Sequence, residues 1–317
     1  MWATVPVEGA PAMSSRTRIV ALIAVVVTVS LGATACGSDT STSSSSSAKP
    51  AVNIATQNFD EDLIVGQIYG QLLAANGFKV TYKAFAARAN IYQAIASGDN
   101  NLVPDYAASG LEYLDKNAGL ASPDITKTMV QFQKQLKAIK LKALDPTKAV
   151  DSNSLVVAKA TASSKHLTKI SELTPDLKLG GPQDCATNPG CIPGLKKVYD
   201  IDMSKNFVPL DASGPNTKAA LTQGNIDVAV LFSTDAGIAA NGWKVLQDDK
   251  GLFNSDNIVP VVTDKLAANS QLASLLNKAS ELITTSNVQA MNKRYDIDKE
   301  DASVIAKDFL TQNKLIK

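Results

Sequence analysis

From Val52 onward, short apolar stretches alternate with longer amphipathic ones, and this alternation constrains the fold more than any single motif. Strand patterns separated by helix patterns point to an α/β protein built on largely parallel sheets. "AVNIATQ" reads as a strand. "NFDEDLIVGQIYGQLLAANG" follows as a helix, with Leu63, Ile64, Ile68, Leu72 and Leu73 near helical spacing, acids in the first turn and Gly77 at the end. "FKVTYKAF" alternates as a half-buried strand, "NIYQAIASG" is a helix stopped by Gly98, and "NLVPDY" is a strand leading into a turn. "SPDITKTMVQFQKQLKAIK" reads as a helix with Ser122 as N-cap and Pro123 at its first position. A second series places strands at "SLVVAKA", "LKLGG", "NFVPL" and "IDVAVLF", with helices at "PGLKKVYD" and at "NTKAALTQG", the latter capped by Asn216. Runs as continuously apolar as "IDVAVLF" imply sheets covered on both faces. Three amphipathic helices close the chain. The body, about residues 51 to 317, exceeds one ordinary domain of roughly 100–200 residues, so two lobes are expected.

The amino terminus sets the compartment. Arg16 and Arg18 precede the apolar run Ile19 to Ala33, which ends in small residues before a cysteine, "LGATAC". At fifteen residues the run falls short of the roughly 18 that a membrane-spanning helix needs, and its flanks are those of an export signal. "ATAC" resembles a lipoprotein lipobox, which makes Cys36 the lipidated first residue of the mature protein. Residues 1–36 are then the signal sequence and 37–50, Ser-rich and too poor in apolar surface to fold, a flexible tether.

Thirty-one Lys and Arg balance thirty Asp and Glu, and the bases are dispersed, which argues against a nucleic-acid partner. With Cys36 assigned to the lipid, two cysteines remain, Cys185 and Cys191. Exported pairs form disulfides. Zinc needs about four ligands, but the chain has a single histidine, His166, in the polar stretch "ASSKHLTKI". A redox role favours C-x-x-C over the C-x5-C found here. No G-x-S-x-G elbow, P-loop, H-E-x-x-H or strand-linked G-x-G-x-x-G is present, so neither enzyme chemistry nor a cofactor is expected. Acids such as Asp60, Glu61 and Asp62 read as helix-start residues. An exported two-lobed body without catalytic groups suits a cleft that closes on a small solute.

The stretches "IATQNFDEDLIVGQIYGQLLAANGFKV", "VPDYAAS", "GGPQDCATNPGCIPGLKKVYD", "ALTQGNIDVAVLFSTDAGI", "LQDDKGLFNSDNIVPVV" and "MNKRYDIDKEDASVIAKDFL" resemble, in this order, the substrate-binding proteins of osmoprotectant ABC importers. The resemblance implies a two-lobed type II periplasmic-binding-protein fold with two hinge crossovers. These fall near residues 151–154 and 253–258, giving lobe 1 as 51–152 plus 257–317 and lobe 2 as 153–256. It implies a receptor that delivers glycine betaine, choline or carnitine to a permease and its ATPase; the lipobox adds a lipid anchor to the membrane, and a monomer is expected. Such ligands carry quaternary ammonium groups, held by aromatic faces. At positions matching the family's motifs, Tyr106 falls where a cage tyrosine stands, Ser109 where a Thr hydroxyl does, and Phe232 where a second cage aromatic is often Tyr. Gln57 and Asn58 replace the common "KNF". Two departures stand out: Asn153 and Ser154 occur where many members have Tyr, and Asn188 where an Arg commonly faces a ligand carboxylate. Arg88 is either a replacement for that charge or a surface ion pair, and Asn216 and Thr217 either a helix cap or an anion site at a helix start. The departures leave open a different small polar or aromatic solute, and an exported enzyme is the more distant alternative.

Overall fold

The computed structural model of the chain describes residues 49–317; the export signal and Cys36 lie outside the described residues. The first series of elements runs β1 (Val52–Gln57), α1 (Asp60–Ala75), β2 (Val80–Phe85), α2 (Arg88–Ala96), β3 (Leu102–Tyr106), α3 (Ala107–Asp115), α4 (Ile125–Ala138) and β4 (Leu141–Ala143). The second runs β5 (Asn153–Val157), α5 (Lys159–Lys165), β6 (Leu179–Pro182), α6 (Ile192–Gly194), β7 (Phe207–Leu210), α7 (Pro215–Thr222), β8 (Val228–Phe232), α8 (Ala236–Asn241) and β9 (Lys244–Val245). The chain then returns through β10 (Ile258–Thr263), α9 (Asp264–Ala267), α10 (Ser270–Leu282), α11 (Thr285–Asp296) and α12 (Ala302–Gln312).

These elements form two five-stranded sheets, β2-β1-β3-β10-β4 and β7-β6-β8-β5-β9. Each contains a parallel trio and one antiparallel inner strand: β10 runs against β3 and β4, and β5 runs against β8 and β9. Helices cover both faces of the first sheet, so its strands bury alternate residues on opposite sides. Val52 and Ile54 join a cluster with Ile68, Leu72, Leu276 and Leu310, whereas Ala55 and Val103 join one with Ile91, Phe132 and Leu136. The second sheet divides likewise, Leu155 and Val157 on one face and Val156 and Leu231 on the other. The continuous apolar runs read from the sequence are thus strands packed on both faces.

The chain passes between the sheets twice, from Ala143 to Asn153 and from Val245 to Ile258. The two passages pair with each other. Thr147 N–H donates to Ile258 O at 2.8 Å and Asp151 N–H to Asp256 O at 3.0 Å, so the connection is a short two-stranded ribbon rather than two independent loops.

Local expectations shift in four places. α4 begins at Ile125 with Asp124 as its cap, its carboxylate accepting from Thr126 N–H at 2.9 Å; Ser122 instead accepts from Asp124 N–H, so the Ser122 and Pro123 assignment moves by two residues. Asn216 does not cap α7: Gly214 stands at that position and Pro215 opens the helix. No turn lies between β3 and the next helix, because α3 starts at Ala107 with no intervening residue. β2 sits at the sheet edge, and its middle residues are exposed on both sides rather than on one. Cys185 and Cys191 are joined, with Cα atoms 5.1 Å apart, and both sulfurs sit in the core of the second sheet.

Candidate functional site

Strand ends and helix starts of both sheets converge beside the double crossover, the place where α/β sheets bind ligands. After β1 the chain presents Phe59, Asp60 and Glu61; after β8 it presents Phe232, Thr234 and Asp235. The first crossover adds Asp151, and α11 adds Asn292 and Asp296. These side chains enclose a cavity of about 400 Å³. A second cavity of about 350 Å³ adjoins it, sharing Asp151 and Phe232 and lined further by Ser109, Glu112, Asn153, Asn188 and Asp256.

Two aromatic rings and many carboxyl groups define this space. Phe59 is 37% exposed and Phe232 47%, although most large apolar side chains of both lobes are buried. Phe232 ends β8 with its backbone N–H donating to Ser213 Oγ at 3.1 Å, so the ring is held at the strand's open end. Beneath Phe59 lies Glu61, which is 2% exposed; it accepts from Tyr106 Oη at 2.7 Å and from Asn292 Nδ2 at 3.4 Å. Burial pushes its carboxyl well above the usual range, and the nearby Asp151 adds to this. Burial also raises Asp60 to about 7, reinforced by a hydrogen bond to Asp296, and raises Asp151 to about 6 although the Thr234 hydroxyl, donating to it at 2.7 Å, opposes the shift. Carboxyls that cannot all ionise side by side mark a space short of positive charge.

The helix starts around the cavities are already occupied. Asp256 accepts from Ala108 N–H at 2.8 Å and Ser109 N–H at 3.0 Å at the start of α3, and burial raises its carboxyl to about 6. Asp211 accepts from Asn216 N–H at 2.9 Å and Thr217 N–H at 2.8 Å at the start of α7. Asp235 accepts from Gly237 N–H at 2.7 Å at the start of α8, and its other oxygen pairs with Lys218 Nζ at 2.9 Å.

Of the residues singled out from the sequence, Phe232 lines both cavities, and Ser109, Asn153 and Asn188 line the second. The Asn188 amide is engaged inside its own loop, its Oδ1 accepting from Gly190 N–H at 2.9 Å and its Nδ2 donating to Asp184 at 3.2 Å. Tyr106 stands beneath the first cavity, 3% exposed and bonded to Glu61, with its ring centre 6.1 Å from that of Phe59. Gln57 donates its backbone N–H to Asp62, and Asn58 points to solvent; neither lines either of these two cavities. Arg88 is neither free nor on the surface: it pairs with the buried Asp105 at 3.0 Å. Asn216 is exposed and Thr217 is buried, its hydroxyl donating to Asp211 O at 2.7 Å. Phe59, Asp60, Glu61, Asp151 and Asn292 escape a reading by pattern, because first-turn acids and a residue in a connector carry no signal of facing a cavity. Only the position of Phe59 directly after "QN" could have drawn notice.

Two α/β lobes joined by a double crossover, with a polar cavity between them, define a type II periplasmic-binding-protein fold and the class of extracytoplasmic solute-binding proteins. The family model for the substrate binding domain of ABC-type glycine betaine transport systems matches residues 50–312, and the chain belongs to that family. The glycine betaine-binding protein YehZ of Escherichia coli (strain K12) is 24% identical over 283 residues, which cover 84% of this chain and 91% of that protein. An ergothioneine transport permease/ergothioneine binding protein, EgtU of Helicobacter pylori (strain G27), is 24% identical over 270 residues, 83% of this chain but 47% of that longer protein. A solved structure described as a glycine betaine/carnitine/choline ABC transporter superposes with a TM-score of 0.76 at 26% identity, covering 84% of this chain and 100% of the other. Among the described residues, no helix is long and apolar enough to cross a membrane.

Proposed function

We propose that this protein captures a quaternary ammonium osmoprotectant of the glycine betaine, carnitine and choline group between its lobes and presents it to an ABC permease. The observation that carries the reading is the pair of exposed rings, Phe59 and Phe232, on one carboxyl-lined cavity. A methylated ammonium has no N–H to satisfy, so it is held by ring faces and nearby negative charge, worth up to about 2 kcal/mol per desolvated ring. The names of the relatives and of the superposing structure support the same solute class.

In this reading lobe 1 is 51–152 plus 257–317 and lobe 2 is 153–256, with the ribbon between them as the hinge. Ligand contacts to both lobes shift the population toward a closed form that the permease recognises. Phe59, Phe232 and Asp151 form the ammonium end of the site, Ser109, Asn153 and Asn188 the adjoining polar end, and Tyr106 supports Glu61 from below. A lipid on Cys36 and the Ser-rich tether hold a monomeric body at the extracytoplasmic face of the membrane. No covalent step takes place.

Thermal unfolding with a solute panel tests the reading. A ligand at 100 times its dissociation constant adds about 2.7 kcal/mol, which raises the midpoint of a chain this size by roughly 2–4 °C. Glycine betaine, carnitine, choline and ergothioneine all leaving the midpoint unmoved at millimolar concentration would exclude it.

A further inference from the structure

We infer that the interlobe cavity selects a quaternary ammonium ion that carries no carboxylate, the choline class, over zwitterionic betaines. This rests on the function proposed above and names the solute within it. The first ground is the charge that lines the space. Asp60, Glu61, Asp151, Asp235 and Asp296 face the first cavity, Glu112 and Asp256 the second, and among the described residues no Lys, Arg or His lines either. A betaine carries its own carboxylate within a few bonds of its ammonium and needs donors for it.

The cationic side chains nearest the cavities and the helix-start donors are already taken, which leaves the neutral Asn153 amide as a free side-chain donor. Lys218 is held by Asp235 and Arg88 by Asp105. The backbone N–H groups at the starts of α3, α7 and α8, ordinarily the places where a fold binds anions, are capped by Asp256, Asp211 and Asp235. Asn188, inside the disulfide loop, spends its amide nitrogen on Asp184. A zwitterion would therefore place a carboxylate among carboxylates with no cationic partner and at most the neutral Asn153 amide to meet it, whereas a hydroxyl at the same place can donate to any of them.

A second and independent ground is Asn292. It lines the first cavity at 2% exposure, and its Nδ2 is committed to Thr234 O at 3.0 Å and to Glu61. These acceptors fix the amide orientation, and Oδ1 has no partner among the described residues. A buried oxygen without a donor is costly, and its negative end suits a positively charged neighbour. The cation is organic rather than metallic: among the described residues, no three His, Cys, Asp or Glu side chains come together in a metal-holding group, and two ring faces match methyl groups, not a hydrated ion.

The cavity then carries protons in place of the cation when it is empty. Asp60 and Glu61 face it from α1, Asp296 from α11, Asp151 from the crossover and Asp235, neutralised by Lys218, from α8, with the Tyr106 hydroxyl behind Glu61. Burial raises Asp60 to about 7 and Asp151 to about 6. An entering cation favours their ionised forms, so choline binding releases protons and weakens as pH falls from about 7.5 to 5.5.

Calorimetric titration of the full chain at pH 7.5 with choline, glycine betaine and 3,3-dimethylbutan-1-ol, the uncharged isostere of choline, decides the matter. Choline is expected to bind at least about tenfold tighter than betaine, with no binding of the alcohol. Betaine as tight as choline or tighter overturns the selectivity while leaving a quaternary ammonium receptor; no binding of either overturns the functional reading itself. Asp151→Asn and Asp60→Asn, each checked for a cooperative melt, should weaken choline by about tenfold and leave betaine unchanged or tighter. Equal losses for both solutes in a folded variant overturn the inference, and Asp60→Asn alone reads the outcome if Asp151→Asn fails to fold. Buffer-dependent binding heats should report proton release with choline; heats independent of buffer count against the inference.

Discussion

The two walls of the cavity reach the same space by opposite means. On the first-lobe side, charge is buried under the surface: Glu61 lies on Tyr106 and Asn292, Asp60 on Asp296, with no cation among the described residues to neutralise them. On the second-lobe side, Asp235 is paired with Lys218, and the prominent feature is an exposed ring, Phe232. The first wall supplies unneutralised field together with the Phe59 ring, the second a ring face beside a neutralised acid. In the proposed function a cation meets a ring on each lobe but unneutralised charge on the first alone, which gives it a reason to touch both and so to close them.

If this division is right, variants in the two walls should fail differently. The largest effect is expected from Tyr106→Ala, which removes a buried ring from the first-lobe core and leaves Glu61 without its hydroxyl donor; a loss of about 3 kcal/mol in stability should appear in chemical unfolding. Opening the disulfide by Cys185→Ser with Cys191→Ser should cost about 2 kcal/mol on the chain-entropy model, felt by the second lobe and leaving choline titration of the folded protein almost unchanged, since neither sulfur lines a cavity. Phe232→Ala should do the reverse: with its ring 47% exposed, the fold barely notices, while affinity for a quaternary ammonium falls by about tenfold in titration.

The pH profile sharpens the contrast further. Folded Asp60 holds its proton to about 7 and Asp151 to about 6, against an ordinary value of 3.8. Between these values the native state binds more protons than the unfolded chain, so stability of the unliganded protein falls as pH rises from about 4 to about 7. Melting should therefore be higher at pH 5.5 than at 7.5 without ligand, and Asp60→Asn should flatten the slope. Smallest is Lys218→Met, which strips the second wall of its neutralising charge; at 33% side-chain exposure the change is screened, and choline affinity should rise by only about two- to fivefold. A decrease would mean that the walls do not divide the work as described.

Much of the fold was legible in the sequence because its elements are specified by local periodicity. β1, α1, β8 and the three carboxy-terminal helices show their apolar spacing over enough residues to be read directly. What escaped were elements whose signal is short or borrowed. α3 follows β3 with no turn residue between them, and its start is capped by Asp256, about 150 positions away in the chain, so no local cap could announce it. α7 is likewise closed by Asp211 from outside the helix, which is why Asn216 looked like a cap.

The sequence by itself determined that the body is α/β, that its strands are packed on both faces, and that Cys185 and Cys191 lie close enough to pair. Which aromatic faces the cavity was decided only by tertiary structure. Tyr106 and Phe232 each end a central strand, β3 and β8, and nothing local distinguishes them. The first turn of α1 lays Glu61 over the end of β3 and seals Tyr106 beneath it, whereas the Phe232 ring at the end of β8 stays 47% exposed. Burial is a property of what packs on a residue, and those neighbours come from distant parts of the chain. The same holds for Asp60 and Asp151, ordinary acids in sequence that become proton-holding groups because folding removes water from around them.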